Sequence, residues 1–402
     1  MIPRSRAQIQ GAVRAAAVLW VIGAAAACSD GPSAPEIGAE PTAEHAVRWN
    51  EVARGLVVAN ASSPPHASRA YAYLSLASWV AWKAADESGP VGGAAPSPSA
   101  AAARAAATVL AHFFPGAASY ITAELAAQAL ARAGTGETQA SRDAGEALGA
   151  VVAERAIARA RADGADAIWD NVFPVGDGYY TGRTPAVPIW GTVRPWLVAS
   201  GRAMRAPAPP PFASEAFQAA LSEVRQISDS RTPQQLAIAL HWADGAGTVT
   251  PAGHWNVIAA DLIRRYDRSE SEALRTFALS NIAMADAMIG CWESKFAYWY
   301  IRPWEADPAI TTPVGKPNHP SYPSGHSCGS AAGATVLAGL FPQEAAALRA
   351  MADEASTSRL YGGIHYKFDL TAGLALGRDC GALALSANAG VDHFMATLGW
   401  TP

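Results

Sequence analysis

Alanine-rich segments recur along almost the whole chain, and they limit its fold more than any other feature. Alanine has the highest helix propensity of all residues, and long stretches of β-branched residues are scarce here. Because half of the 402 residues are hydrophobic, a sizeable core can form. The sequence therefore predicts an all-α protein. Its helical patterns cover about 43–59, 65–85, 99–112, 116–161, 213–226, 232–242, 251–266, 270–298, 325–341, 343–361 and 367–390.

The N-terminus carries a targeting signal. Three arginines precede an apolar run from Ala15 to Ala27, which ends at Cys28. This arrangement is typical of a secretory signal, and the run is too short to span a bilayer. The last four residues, Ala-Ala-Ala-Cys, resemble a bacterial lipobox. We therefore expect residues 1–28 to be a lipoprotein-type signal and Cys28 to be lipidated, which makes the protein extracytoplasmic and membrane-anchored. It is secreted if Cys28 is not lipidated.

The rest of the chain divides by composition. Residues 29–42, rich in Ser, Pro, Gly and Glu, predict a flexible tether. A helical region over 43–250 precedes a helical bundle over 251–402. Within the first, 173–212 combines many prolines and glycines with aromatic residues, which predicts an ordered loop. This loop is either one wall of a substrate entrance or a packed connection between helical halves.

Charge and cysteine content restrict the function and the redox state. The formal net charge is -4, and removal of the three signal arginines makes it about -7. An acidic chain without a basic stripe is a poor candidate for binding nucleic acid. Three cysteines remain after the signal, and in an oxidising compartment two of them can bridge. The sequence does not decide which two.

Three segments near the C-terminus carry side chains suited to one chemistry. The first holds Lys295 and Arg302, separated by six residues. The second is Pro-Ser-Gly-His, ending at His326. The third runs from Arg359 to His365 and Asp369. Two guanidinium groups and one ammonium group can neutralise a tetrahedral oxyanion, and the guanidinium groups can do so with paired hydrogen bonds.

The remaining groups of these segments complete an oxyanion site. Ser324 offers a hydroxyl group, Gly325 offers an unobstructed N–H, and a helix starting there would add its free amides. His365 can attack phosphorus or coordinate vanadium. Asp369, one helical turn later, can orient the imidazole of His365. His326 can then act as general acid and base.

The ordered trio Lys-x6-Arg-Pro, Pro-Ser-Gly-His and Ser-Arg-x5-His-x3-Asp resembles the type 2 phosphatidic acid phosphatase/vanadium-dependent haloperoxidase superfamily. The soluble bacterial haloperoxidase-like branch is the most similar. The motifs span 295–369, and Asp286, Trp292 and the stretch 253–256 resemble its upstream helices. The resemblance implies a helical bundle. It also implies that His365 is the vanadium ligand or phosphoenzyme nucleophile and His326 the acid/base. The oxyanion would be held by Lys295, Arg302, Ser324, Gly325 and Arg359.

Several features favour peroxidase chemistry with a vanadate cofactor over phosphatase chemistry. Membrane phosphatases of the superfamily are bundles of transmembrane helices, and its small periplasmic phosphatases are much shorter than this chain. Trp292 matches a tryptophan beside the vanadate in fungal-type chloroperoxidases. His319, five residues before Ser324, matches a histidine of the bromide-using algal enzymes. Both residues can alternatively be structural, Trp292 in the core and His319 in a loop.

Three hypotheses follow. The leading one is a vanadate-dependent haloperoxidase-like enzyme that oxidises halide, with bromide favoured, using hydrogen peroxide. The second is an extracytoplasmic acid phosphatase that hydrolyses phosphomonoesters through a phosphohistidine. The third is an inactive lipoprotein that binds phosphate or a partner, against which the intact motifs argue.

Overall fold

The computed structural model describes residues 43–90, 93–132, 137–387 and 395–399. The predicted signal, Cys28 and the tether lie outside these ranges. Thirteen α-helices and no β-strand occur within them, which confirms the all-α prediction. The helices are α1 Glu44–Ala59, α2 Pro64–Asp86, α3 Pro98–Phe113, α4 Ala118–Arg132, α5 Gln139–Arg161, α6 Glu215–Ser230, α7 Pro233–His241, α8 Thr250–Arg265, α9 Glu270–Tyr298, α10 Pro303–Ala306, α11 Gly325–Leu340, α12 Ala345–Tyr361 and α13 Lys367–Ala387.

Helix α9 is the central element of the bundle. It begins at a capping box, in which the Ser269 hydroxyl accepts the Glu272 N–H and the Glu272 carboxylate accepts the Ser269 N–H. The helix is buried on nearly every side by α2, α11 and α13. Most of its buried residues are apolar, as expected of a helix in the middle of a core. Its C-terminal turns carry Trp292 and Lys295 into the motif region.

Helices α11 and α13 approach closely because glycines of α13 face α11. A Cβ atom on Gly377 would lie 2.2 Å from the Cys328 carbonyl oxygen, and one on Gly373 would lie 2.7 Å from that of Ser324. No larger residue fits at such a distance. The approach allows the Ser324 N–H to donate to the Asp369 carbonyl at 3.1 Å. The second and third motifs are thereby joined through their backbones.

The prediction of one helical stretch over 116–161 is wrong. Helix α4 ends at Arg132, and α5 begins at Gln139 with its own N-cap, because the Thr138 hydroxyl accepts the Ser141 N–H at 3.1 Å. A threonine in this position satisfies one of the amides left free at a helix start. The alanine-rich pattern on both sides concealed this break.

The irregular segment 173–212 is fastened to α9. It contains two short 3-10 turns, Trp190–Thr192 and Gly201–Met204, and the Trp190 side chain is fully buried. The Asp286 carboxylate of α9 accepts the N–H groups of Trp196 and Leu197 at 2.8–3.1 Å. Burial raises the pKa of Asp286 to about 7, although these hydrogen bonds favour the ionised form.

Asp286→Asn should change the pH dependence of stability. The folded protein ionises this carboxyl near pH 7, whereas the unfolded chain has already ionised it, so the wild type loses stability as pH rises through 7. The variant lacks this loss. Between pH 6 and 8 its free energy of unfolding should therefore gain about 1 kcal/mol relative to the wild type. Urea unfolding of both proteins across this range measures the difference, and parallel pH profiles would contradict the assignment.

Two further observations concern the membrane and the thiols. No helix in the described ranges is long and apolar enough to cross a membrane. The cysteines Cys291, Cys328 and Cys380 are all buried, and all three are free thiols.

Candidate active site

A cavity of about 410 Å³ lies where the three motifs meet. Six of the ten sequence-predicted site residues line its wall: Trp292, His319, Gly325, His326, Arg359 and His365. The other four, Lys295, Arg302, Ser324 and Asp369, are fully buried directly behind that wall. Cys28, predicted as the lipidation site, lies outside the described residues. The structure thus brings all ten predicted site residues of the motif region together.

His365 and Asp369 form a buried pair at the start of α13. The Nδ1 atom of His365 lies 2.8 Å from Asp369 Oδ2, and its Nε2 atom lies 3.1 Å from Nη1 of Arg302. A guanidinium group only donates hydrogen bonds, so Nε2 must present its lone pair. The proton therefore sits on Nδ1 and is donated to Asp369. This tautomer keeps Nε2 unprotonated, the state that a nucleophile or a ligand needs.

The charge states of this pair follow from burial and the neighbouring cations. Burial lowers the pKa of His365 well below its usual value, and the charges of Arg302 and Lys295 lower it further. Burial raises the pKa of Asp369 to about 6, against the lowering effects of the Ser321 hydroxyl and the same two cations. At neutral pH the pair is therefore a neutral imidazole beside a carboxylate.

Lys295 is held by the backbone before Ser324. Its ammonium group donates to the carbonyl oxygens of Pro320, Ser321 and Pro323 at 2.9, 2.7 and 2.5 Å. These three bonds use all its protons, so Lys295 positions this loop and acts on the cavity through its charge. Burial lowers its pKa to about 8, which leaves it mostly protonated at pH 7.

Arg302 connects the first motif to both of the others. Its Nε atom donates to the His319 carbonyl at 2.9 Å, and Nη1 donates to the Ile364 carbonyl at 2.6 Å. Its Nη2 atom lies 3.0 Å from Nδ1 of the His319 ring. Burial lowers the pKa of Arg302 to about 10, so it remains charged. Arg302 therefore fixes the orientation of two imidazole rings at once.

Arg359 supplies the second guanidinium group. Near the end of α12, it donates to the Ser358 hydroxyl and to the Ala239 carbonyl, both at 2.8 Å. Burial lowers its pKa to about 10, while the Asp244 carboxylate raises it. These bonds hold a charged fork rigidly in the cavity wall, the arrangement that favours paired hydrogen bonds to an oxyanion.

Helix α11 begins at Gly325, directly at the cavity. Ser324 is its N-cap, and the Ser324 hydroxyl accepts the Ser327 N–H at 3.3 Å. The N-terminus of a helix presents unpaired N–H groups and partial positive charge, which attract anions. Gly325 also packs under Trp292, whose ring would lie 3.4 Å from a Cβ atom at this position.

His326 follows on the first turn of α11. Its Nε2 atom is buried and has no hydrogen-bond partner within the described part of the chain. Burial lowers the pKa of His326 well below its usual value, and the Arg359 charge acts in the same direction. A buried polar atom without a protein partner usually binds a ligand or water, so His326 is suited to proton transfer with a ligand in the cavity.

Trp292 and His319 form a second part of the wall. Their ring centroids are 4.9 Å apart, and the Trp292 N–H donates to the Ala186 carbonyl at 3.3 Å. Nδ1 of His319 lies 3.0 Å from Nη2 of Arg302 and 3.2 Å from the Pro320 carbonyl oxygen. Burial, together with the charges of Lys295 and Arg302, lowers the pKa of His319 well below its usual value.

Two residues of the site were not predicted from the sequence. The Ser321 hydroxyl donates to Asp369 Oδ2 at 2.5 Å. Its position three residues before Ser324 is the one feature of the sequence that could have indicated a role in the site. Asp244 lines the cavity and its carboxylate lies 3.0 Å from Nδ1 of His254. No local pattern indicates Asp244, which reaches the site from the loop after α7.

Three cations of the motif region are buried without a direct ion pair. Lys295, Arg302 and Arg359 are at most 1% exposed, and none forms an ion pair within the described ranges. The Asp369 carboxylate raises the pKa of Lys295 and of Arg302 at longer range, and the Asp244 carboxylate raises that of Arg359. Burial of charge costs several kcal/mol per ion, which a bound anion would offset further. With the unprotonated Nε2 of His365 next to Arg302, the site fits a tetrahedral oxyanion such as phosphate or vanadate.

Asp369→Asn tests the positioning of His365. An amide cannot hold the proton on Nδ1 as a carboxylate does, so the imidazole loses its fixed tautomer. We expect oxyanion affinity or turnover to fall by about 10- to 100-fold, as for other partners of this kind. A pH–rate profile separates this role from a merely structural one, because the acidic limb attributable to the Asp369 carboxyl should disappear in the variant. An unchanged profile with unchanged turnover would contradict the assignment.

Comparison with known proteins supports the fold and the motif region. The profile of the PAP2 superfamily matches residues 276–389, which include all three motifs. No curated protein sequence shows a significant similarity to this chain.

Solved structures of similar fold are bacterial vanadium-dependent peroxidases. The first bacterial vanadium-dependent iodoperoxidase superposes with a TM-score of 0.76 at 24% sequence identity, covering 86% of this chain and 96% of that one. A holo-type bacterial vanadium-dependent chloroperoxidase superposes with a TM-score of 0.66 at 15% identity, covering 89% and 97%. The chain therefore has the fold of these enzymes over most of its length.

Proposed function

We propose that the protein is a vanadate-dependent haloperoxidase-like enzyme, since residues 276–389 match the profile of the PAP2 superfamily. It would use hydrogen peroxide to oxidise halide, with bromide favoured. The observation that carries the proposal is the set of three buried cations without a direct ion pair, of which Arg302 contacts the unprotonated Nε2 of His365 and Arg359 lines the same cavity. Such a set favours a bound anion, and the lone pair of Nε2 can bind the central atom of that anion.

Each residue has a defined task in this proposal. Arg302 and Arg359 neutralise the oxyanion, Lys295 adds its charge, and the N-terminus of α11 adds free N–H groups. His365 presents its lone pair, and Asp369 keeps the opposite nitrogen protonated. His326 exchanges protons with the ligand. Vanadate bound there would supply a Lewis-acidic centre that activates peroxide toward halide.

The preference for vanadate over phosphate is supported by two observations. The solved structures of similar fold are named as vanadium-dependent iodo- and chloroperoxidases. Trp292 and His319, the residues on which the comparison with halide-oxidising enzymes depends, lie together in the cavity wall. The choice of bromide depends on His319 alone.

Acid phosphatase activity is the second candidate, and the site supports it as well. The lone pair of His365 can attack a phosphomonoester to form a phosphohistidine, with the cations stabilising the charge that develops. The unpartnered Nε2 of His326 is suited to protonate the leaving oxygen. The cavity also has room for an organic leaving group.

The two activities are separated by one experiment on the protein without residues 1–28. One portion is assayed with orthovanadate, peroxide and bromide using a bromination dye, and a vanadate-free portion with p-nitrophenyl phosphate. We expect bromination that depends on vanadate. Absence of bromination at saturating vanadate, together with rapid ester hydrolysis, would reverse the order of the two functions.

The location of the enzyme is also a proposal. A lipid on Cys28 would hold the enzyme at the outer side of a membrane, with residues 29–42 as the tether. Metabolic labelling with palmitate should then mark the wild type but not Cys28→Ser. Equal labelling of both would remove this anchor from the proposal.

A further inference from the structure

The three cysteines of the described ranges differ in their partners. Cys291 lies in the last third of α9 and Cys328 near the start of α11, and both are fully buried. The S–H group of Cys328 donates a hydrogen bond to Sγ of Cys291. Cys380 of α13 donates instead to Sδ of Met204 at 3.5 Å. The pair placed to form a disulfide is therefore Cys291 and Cys328, a choice that the sequence left open.

The Cys291–Cys328 pair lies directly behind the oxyanion site. The S–H group of Cys291 donates to the Pro323 carbonyl at 3.6 Å, and the same oxygen accepts from Lys295 at 2.5 Å. Sγ of Cys291 also lies 4.0 Å from the point that a Cβ atom on Gly325 would occupy, and Gly325 lines the cavity. A residue without a side chain is therefore what stands between the cavity and this thiol.

The two thiols differ in reactivity. Burial raises the pKa of Cys291, whereas the hydrogen bond from Cys328 lowers it. The charges of Lys295 and Arg302 lower it as well, so that the pKa of Cys291 falls below the ordinary value of a thiol. Burial and the neighbouring Cys291 raise the pKa of Cys328 well above that value. Because the thiolate is the form that attacks an oxidant, Cys291 reacts first and Cys328 is the resolving thiol beside it.

We propose that Cys291 and Cys328 form a disulfide when hydrogen peroxide enters the cavity, and that this disulfide weakens oxyanion binding. One peroxide and two thiols give one disulfide and two waters. The Cys291 sulfur takes one peroxide oxygen as the O–O bond breaks, and the other oxygen leaves as water with the Cys291 proton. The Cys328 sulfur then displaces the oxygen on Cys291, which leaves with the Cys328 proton as the second water. The two sulfurs lose the two electrons that reduce the peroxide.

The disulfide changes the anion site in two ways. It removes the S–H group that donates to the Pro323 carbonyl, in the residue directly before Ser324. A covalent bond also brings two sulfurs closer than a hydrogen bond does, so α9 and the start of α11 must shift toward each other. Because the start of α11 supplies free N–H groups to the oxyanion, this shift reduces the affinity of the site. The effect goes beyond the proposed function, since it applies to any oxyanion bound there.

Peptide mapping of the peroxide-treated protein is the direct test. The protein is treated with hydrogen peroxide in the absence of vanadate and halide, unfolded with a thiol-blocking reagent and digested without reductant. Mass spectrometry should find the Cys291 and Cys328 peptides joined, lighter by two hydrogens than the two free peptides together. Cys380 should be found blocked as a free thiol.

Calorimetry with inorganic phosphate measures the effect on the site. We expect the peroxide-treated protein to bind phosphate roughly three- to tenfold more weakly, the effect of losing about one hydrogen bond, and dithiothreitol to restore the affinity. Cys291→Ser keeps a hydroxyl donor for the Pro323 carbonyl but cannot bridge, so peroxide should leave its affinity unchanged. Cys380→Ser is the matched control and should respond to peroxide as the wild type does.

Absence of the joined peptides, or joining of a different pair, overturns the disulfide. Joined peptides with unchanged phosphate affinity overturn its effect on the site, and so does a loss of affinity in Cys291→Ser equal to that of the wild type. The mapping needs no variant, so it tests the disulfide even where a substitution impairs folding. Neither measurement uses vanadate or halide, so failure of the peroxidase function leaves this inference standing.

Discussion

Replacement of His365 by alanine is expected to reduce turnover by at least about 10³-fold, whether bromide oxidation or phosphate-ester hydrolysis is measured. Both chemistries need the lone pair of Nε2, which the hydrogen bond from Arg302 and the bond to Asp369 hold in one tautomer. The loss should therefore appear in kcat for the ester and in vanadate binding for the peroxidase.

His112→Ala is the matched control for this variant. His112 lies near the end of α3 and does not line the cavity. It should retain turnover within about twofold, since surface substitutions away from a site have small effects. Activity of His365→Ala within tenfold of the wild type, in protein shown to be folded, would mean that the site assignment itself is wrong.

Replacement of Arg359 by alanine is expected to weaken inorganic phosphate binding by roughly 30- to 1,000-fold, corresponding to about 2–4 kcal/mol for the loss of a buried charged partner. Arg359 is a charged fork in the cavity wall, and its bonds to Ser358 and Ala239 hold it in place. Calorimetry with phosphate measures the effect without vanadate. Arg359→Lys keeps the charge but loses the fork, so it should fall between the alanine variant and the wild type.

The same substitution should also change the pH profile. The Arg359 charge lowers the pKa of His326, so its removal should raise that pKa. The limb of the profile that reports His326 should therefore move to higher pH in Arg359→Ala. Arg378→Ala, which removes an exposed arginine of α13, is the control and should change neither affinity nor profile. Unaltered phosphate affinity in Arg359→Ala would exclude this guanidinium group from the anion site.

Most of the helices could be predicted from the sequence because the features that specify them, helix caps and apolar periodicity, are local. Helix α9 was predicted over 270–298 and has these bounds, since a capping box and an uninterrupted apolar pattern specify it. The break between α4 and α5 was missed because similar alanine-rich patterns flank it. The cap at Thr138 is a single-residue signal that periodicity does not detect.

The candidate site residues could be predicted from the sequence because the three motifs carry them at short, fixed spacings. Their hydrogen-bond partners could not be predicted in this way. Lys295 was expected to contact the oxyanion, whereas its three protons are bound by carbonyl groups of the loop before Ser324. Asp244, more than 100 residues before Arg359, was not considered at all.

The sequence by itself determined the all-α class, most of the helix positions and the identity of the motif residues that meet at the site. Periodicity, capping and motif spacing are properties of neighbouring residues. Only the tertiary structure decided which nitrogen of His365 carries the proton, which cations are buried without a direct ion pair, and how large and apolar the adjoining cavity is. These properties arise where segments distant in sequence pack together, as when the glycines of α13 bring Asp369 against Ser324. No local pattern encodes the distances that such packing creates.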